Sequence, residues 1–110
     1  MSLPFELSVR DFADQRKIDP SYILLDVREP DEYATAKIAG SILIPLGEIT
    51  TTAAAALPDK SARIVVQCHH GMRSARAVEY LRQIGYSHVQ NLTGGIDAWS
   101  AEIDSSVPVY

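Results

Sequence analysis

One cysteine, one tryptophan and two phenylalanines occur in this chain of 110 residues, and no window of it approaches the length of a transmembrane helix. A lone cysteine excludes an internal disulfide, so stability has to come from a packed core. Ten Lys and Arg stand against 14 Asp and Glu, giving a net charge of -4. That balance argues against nucleic acid or an anionic membrane as partner, because both select basic surfaces. Internal repeats and low-complexity segments are absent. Gly94-Gly95 lacks the GxGxxG pattern that would point to a nucleotide, and reads as a tight turn. The first twenty residues carry Glu6, Arg10, Asp11, Asp14, Arg16, Lys17 and Asp19, leaving no room for the apolar core of a signal peptide. With a free thiol as well, the expected location is a reducing cytoplasm.

What is present is an ordinary globular composition, 46% hydrophobic and 22% charged, sized for one domain over residues 1–110. Apolar segments alternate between strand and helix patterns, which predicts an α/β fold with a mostly parallel sheet covered on both faces. Glu6-Leu7 reads as a short edge strand. Ser8 then caps a helix from Val9 to about Arg16, with Asp11 in the third position of a capping-box variant. Tyr22 to Leu25 reads as a central strand ending at Asp26, and Pro30 opens a short helix near Tyr33. Ile42-Leu43-Ile44 is a strand stopped by Pro45, and Leu46 to Leu57 is an alanine-rich helix weakened by three threonines. Arg63 to Gln67 is a buried strand and Ser74 to Ile84 a helix closed by Gly85, with apolar Ala77, Val78, Leu81 and Ile84 at helical spacing. Val89 to Leu92 is a further strand, and Gly94-Gly95 starts a helix through Trp99, which reads as core together with Ile96. Asp104 to Tyr110 reads as surface wrapping or disorder rather than core.

Cys68 falls where the strand Arg63–Gln67 breaks into a glycine-containing loop that opens a helix. The first N–H groups of a helix lack intrahelical partners, and the macrodipole adds positive charge there. Such a site, with Arg73 and Arg76 near it, favours a thiolate, the nucleophilic form. Gly71 can take positive φ and curl the loop so that successive amides face one centre, and Ser74 can cap the helix. The residue types therefore describe a pocket for a small anion with a nucleophilic sulfur at its floor. The alternative for a lone cysteine is a structural core residue; the loop glycine and the helix that follows argue for the nucleophile. His69 and His70 do not have the spacing of a closed zinc site, so no metal is expected and both are placed on the pocket rim. Asp26 and Arg28, at a strand's C-terminal end, read as an ion pair that supports the catalytic loop rather than as catalysts.

Four blocks in order, Asp26-Val27-Arg28-Glu29 with Glu32-Tyr33, then Ile38, Gly40 and Ile44-Pro45, then Cys68-His69-His70-Gly71-Met72-Arg73-Ser74, then Gly94-Gly95-Ile96 with Ala98-Trp99, resemble a single-domain rhodanese over about residues 5–99. The resemblance implies a rhodanese-like α/β fold with a central, mostly parallel sheet of about five strands and helices on both faces. It implies sulfurtransferase chemistry without a cofactor: Cys68 takes the sulfane sulfur of a small anionic donor such as thiosulfate, becomes a persulfide, and passes the sulfur to cyanide or to a thiol, including a protein thiol. On that reading His69, His70, Gly71, Met72, Arg73 and Ser74 bind the substrate, with Arg73 holding the donor and the loop amides stabilising the charged sulfur. Where rhodaneses commonly have Gly-His-Ile this chain has Ala36-Lys37-Ile38, and Ser41 stands where alanine is usual. Dual-specificity phosphatases and arsenate reductases of the same fold use Cys-x5-Arg, whereas Cys68 to Arg73 is Cys-x4-Arg. The shorter ring of amides suits a sulfur atom better than a tetrahedral oxyanion. A regulatory docking domain is the other alternative, and the retained Cys68, Gly71 and Arg73 argue against it. Oligomeric state has no signature in the sequence.

Overall fold

A computed structural model describes residues 3–110. β1 (Glu6–Leu7) leads through α1 (Val9–Ile18) to β2 (Ile23–Asp26), and α2 (Pro30–Thr35) leads to β3 (Ser41–Leu43). A single 3-10 turn, Leu46–Glu48, precedes α3 (Ile49–Ala56) and β4 (Ile64–Gln67). α4 (Met72–Gln83), β5 (Val89–Leu92) and α5 (Gly95–Glu102) complete the order. The strands form one sheet in the order β1-β5-β4-β2-β3, and every neighbouring pair is parallel. The expected five-stranded α/β arrangement, with β1 at an edge, is therefore present.

Because side chains alternate across a strand, neighbours such as Leu24 and Leu25 feed opposite faces. Leu25, Val66 and Cys68 pack on Ile49 and Ala53 of α3 and Ala77, Val78 and Leu81 of α4. On the other face Leu24, Val65 and Leu92 pack on Phe12 of α1 and on Ile96 and Trp99 of α5. β4, fully buried between β5 and β2, delivers Cys68 at its C-terminal end, the edge of an open parallel sheet where ligands bind.

β3 is set one residue earlier than read, α1 and α5 run on to Ile18 and Glu102, and three further departures from the sequence reading have local reasons. α4 begins at Met72, because Gly71 at φ +118 makes the turn into the helix itself. Ser74 is thus inside the first turn and does not cap it. The segment from Leu46 divides at Glu48, after Gly47, a residue with weak helix propensity. The tail contributes to the core: Val107 is buried, and its carbonyl accepts the Ser100 hydroxyl at 2.6 Å. Ala36, in place of the family glycine, has extended backbone angles that need no glycine.

Gln67 is fully buried, and neither its amide nitrogen nor its oxygen has a partner among the described residues. A buried polar group left unpaired costs about 1–3 kcal/mol. Gln67→Leu, close in volume, is expected to raise thermal stability, read as an upward shift of the unfolding midpoint; a lower midpoint would show the amide is satisfied.

Candidate active site

Cys68 is only 2% exposed, and its sulfur sits inside the loop that joins β4 to α4. The Gly71 N–H donates to Sγ at 3.0 Å, and the Ser74 hydroxyl lies 3.3 Å from it. The one Ser74 proton has other acceptors as well, Asn91 Oδ1 at 2.5 Å and the Gly71 carbonyl at 3.2 Å. Asn91, on β5, donates to the Gly71 carbonyl at 3.2 Å and to the Glu6 carboxylate at 3.1–3.2 Å. A chain from Glu6 through Asn91 thus fixes both the glycine and the serine that touch the sulfur. Sequence reading missed Glu6 and Asn91 as site residues, because nothing local to either short strand marks the other as its partner.

The far side of the loop is pinned by α5. Ile96 N–H donates to the Cys68 carbonyl at 2.9 Å and Asp97 N–H to the His69 carbonyl at 3.2 Å. This close approach explains Gly95: a Cβ there would overlap the Cys68 carbonyl oxygen and come within 2.8 Å of that of His69. At φ +59 the backbone conformation also favours glycine. The glycine pair read as a tight turn is therefore also the surface on which the nucleophile's backbone rests.

Arg73 is held by a partner the sequence did not suggest. Its guanidinium makes a bidentate pair with Glu32 of α2, at 2.6 and 2.9 Å. Glu32 also closes a capping box with Glu29 at the start of α2. The hydrogen bonds from Arg73 hold the Glu32 carboxyl at a pKa of about 2, against an ordinary 4.5. The same pairing raises the Arg73 pKa, so this side chain stays a cation. Because the folded pKa of Glu32 is depressed, the pair's stabilisation is complete above about pH 4.5 and is lost as pH falls toward about 2. Glu32→Gln is expected to flatten that acid limb of a stability-against-pH curve; an unchanged limb would show that other carboxylates set it.

Asp26 and Arg28 form the ion pair expected of them, fully buried and 2.7 Å apart. Arg28 Nε lies 3.0 Å from both Asp26 oxygens. The remaining Arg28 protons go to the Ala36 carbonyl at 2.6 Å, the Glu32 carbonyl at 3.3 Å and the Tyr110 hydroxyl at 2.7 Å. The pair therefore grips α2 and the tail, and reaches the Cys68 loop through Glu32 to Arg73 and through Tyr110 to His69.

On the rim, His69 stacks on Tyr110 at 4.1 Å and 8°, and on His70 at 4.0 Å and 21°. His69, His70 and Asp97 bring ligating atoms within 4.8 Å of one another, but near-parallel rings send their in-plane lone pairs side by side rather than to one point. Met72, the first residue of α4 and next to Gly71, is 78% exposed. Arg76, expected near the sulfur, is exposed on α4.

A parallel α/β sheet with a cysteine in a glycine loop at the C-terminal end of its central strand, backed by a cationic arginine, defines a rhodanese-type domain. The chain belongs to the rhodanese-like domain family, whose model matches residues 9–102. It is similar to thiosulfate sulfurtransferase PspE of Escherichia coli, 41% identical over 70 residues, covering 64% of this chain and 67% of that protein. It is 33% identical over 110 residues to adenylyltransferase and sulfurtransferase MOCS3-1 of Drosophila pseudoobscura pseudoobscura, covering 94% of this chain but only 24% of the relative. Among solved structures, a rhodanese-related protein from Thermoplasma volcanium superimposes with a TM-score of 0.79 at 35% identity, over 91% of this chain and 94% of the other. Among the described residues, no helix is long and apolar enough to cross a membrane.

Proposed function

We propose that this protein is a sulfurtransferase that carries sulfane sulfur on Cys68. The observation that carries the reading is the sulfur's position, with an amide donor at 3.0 Å and a hydroxyl at 3.3 Å in a loop that ends on cationic Arg73. The Cys68 thiolate attacks the outer sulfur of thiosulfate. A new S–S bond forms, the donor's S–S bond breaks, and sulfite leaves with the bonding pair. Arg73 holds the anionic donor and offsets charge on the departing sulfite, while the loop from His69 to Ser74 surrounds the persulfide. In the second half, cyanide or a thiolate attacks the terminal sulfur and Cys68 departs as thiolate, ready for another cycle. The thiolate is the attacking form in this scheme, so neither His69 nor His70 is given the role of a base. Asp26 and Arg28 act from behind, through α2 and Tyr110. No metal or organic cofactor enters this scheme.

A protein thiol as acceptor is the second reading. The match to a sulfurtransferase in which this domain is a quarter of the length favours it, as does exposed Met72 next to Gly71, an apolar contact for an incoming partner. A free cysteine that must be regenerated suits a reducing compartment such as the cytoplasm.

Intact mass before and after thiosulfate, and again after cyanide, tests the proposal. The expected result is a gain of one sulfur atom that cyanide removes. A protein that gains no sulfur from thiosulfate or from any other sulfane donor would sink the reading.

A further inference from the structure

Tyr110 touches one end of the nucleophile's loop directly and reaches the other through Glu32. Its ring stacks on His69, the residue after Cys68. Its hydroxyl donates to Glu32 Oε2 at 2.9 Å and accepts from Arg28 Nη1 at 2.7 Å. Glu32 in turn holds Arg73, at the loop's other end. The result is a continuous polar chain, Arg28 to Tyr110 to Glu32 to Arg73, running from a buried cation to the cation beside the pocket.

In this chain Tyr110 and Arg73 compete for one carboxylate. A hydroxyl whose oxygen accepts from a guanidinium is a stronger donor through its own proton, because hydrogen bonds in series polarise one another. The more of the Glu32 charge the tyrosine satisfies, the less is left to neutralise Arg73, and the larger the positive field an approaching anion meets. Resting on the proposed sulfur chemistry for its biological meaning, we infer that Tyr110 is a positioning residue that tunes Arg73 for anionic substrates by sharing Glu32 with it.

The test separates charge from structure by using two reagents that alkylate the same thiol, iodoacetate (an anion) and iodoacetamide (neutral). Tyr110→Phe keeps the ring on His69 and removes only the hydroxyl. It is expected to lower the iodoacetate-to-iodoacetamide rate ratio at Cys68 about threefold, a fraction of what one charge-assisted hydrogen bond is worth, because the tyrosine acts on Arg73 only through the shared carboxylate. Glu32→Gln is expected to raise the ratio, and in that background Tyr110→Phe is expected to change nothing, since the charge it competes for is gone. With thiosulfate, Tyr110→Phe is expected to raise KM about threefold with kcat preserved. An unchanged ratio, or equal slowing of both reagents as from a loosened loop, overturns the inference. The alkylation ratio does not depend on sulfur transfer, so a protein that accepts no sulfur defeats the proposed function while this measurement still decides the role of Tyr110.

Discussion

Cys68→Ser is expected to give a folded protein that gains no sulfur from thiosulfate and whose thiocyanate production falls by more than about a thousandfold, the scale on which nucleophile removal acts. The chemistry needs an atom that is ionised near neutral pH, attacks divalent sulfur readily and then departs from it; an alcohol does none of these. The fold has little reason to object. The serine hydroxyl would occupy a place where the Gly71 N–H and the Ser74 hydroxyl already stand within reach of the present sulfur, so it arrives with partners. The cost in stability is expected to stay near 1 kcal/mol. Intact mass and an unfolding midpoint measured on one preparation check both halves. Sulfur uptake by the variant would overturn the mechanism, and a collapsed midpoint would make the cysteine structural instead.

The second large effect is expected at Arg28, where Arg28→Met should destabilise the protein by about 3–5 kcal/mol and lower its midpoint by more than about 10 °C. Arg28 and Asp26 are both fully buried, with side chains 0% exposed. Removing the cation leaves a carboxylate in the interior with only the residue 28 backbone N–H as a donor from this pair, at 3.0 Å. The loss exceeds the net worth of the pair, because it consists mainly of the stranded charge. The double variant Asp26→Leu/Arg28→Met is therefore expected to recover part of the lost stability. Recovery should be incomplete, since the Ala36 carbonyl and the Tyr110 hydroxyl still lose their donor. Denaturant unfolding of the single and double variants measures the difference, and a double variant less stable than Arg28→Met would contradict the stranded-charge account.

Much of the architecture was legible because periodicity reports burial. β5 was read to the residue, and the α4 face of Ala77, Val78 and Leu81 is the buried one. The nucleophile was legible for a different reason: a strand that stops, a glycine that turns and a helix that starts are three local signals that bracket Cys68. Its support was not legible. Glu32 and Arg73 are 41 positions apart, Tyr110 and Glu32 are 78 apart, and Asn91 and Glu6 are 85 apart. A polar side chain that pairs with a distant element leaves no periodic mark in the sequence, so only the folded chain pairs these residues. The helix start at Met72 was missed for a related reason. The serine at position 74 carries a good capping side chain, but tertiary contacts with Asn91 and the sulfur claim its hydroxyl.

The sheet order also governs when the site can exist during synthesis. β1, made first, pairs only with β5, made last of the strands, and the Cys68 and His69 carbonyls find their α5 donors only once residues 96 and 97 are in place. A ribosome extends the chain from the N-terminus, so Glu6 waits for Asn91, 85 positions further on, to be added before the two can meet. Sequence-distant pairings of this kind slow folding. The thiol and its Gly71 and Ser74 neighbours are therefore synthesised before Asn91, Ile96 and Asp97, so the loop takes its final shape only when the later part of the fold closes on it.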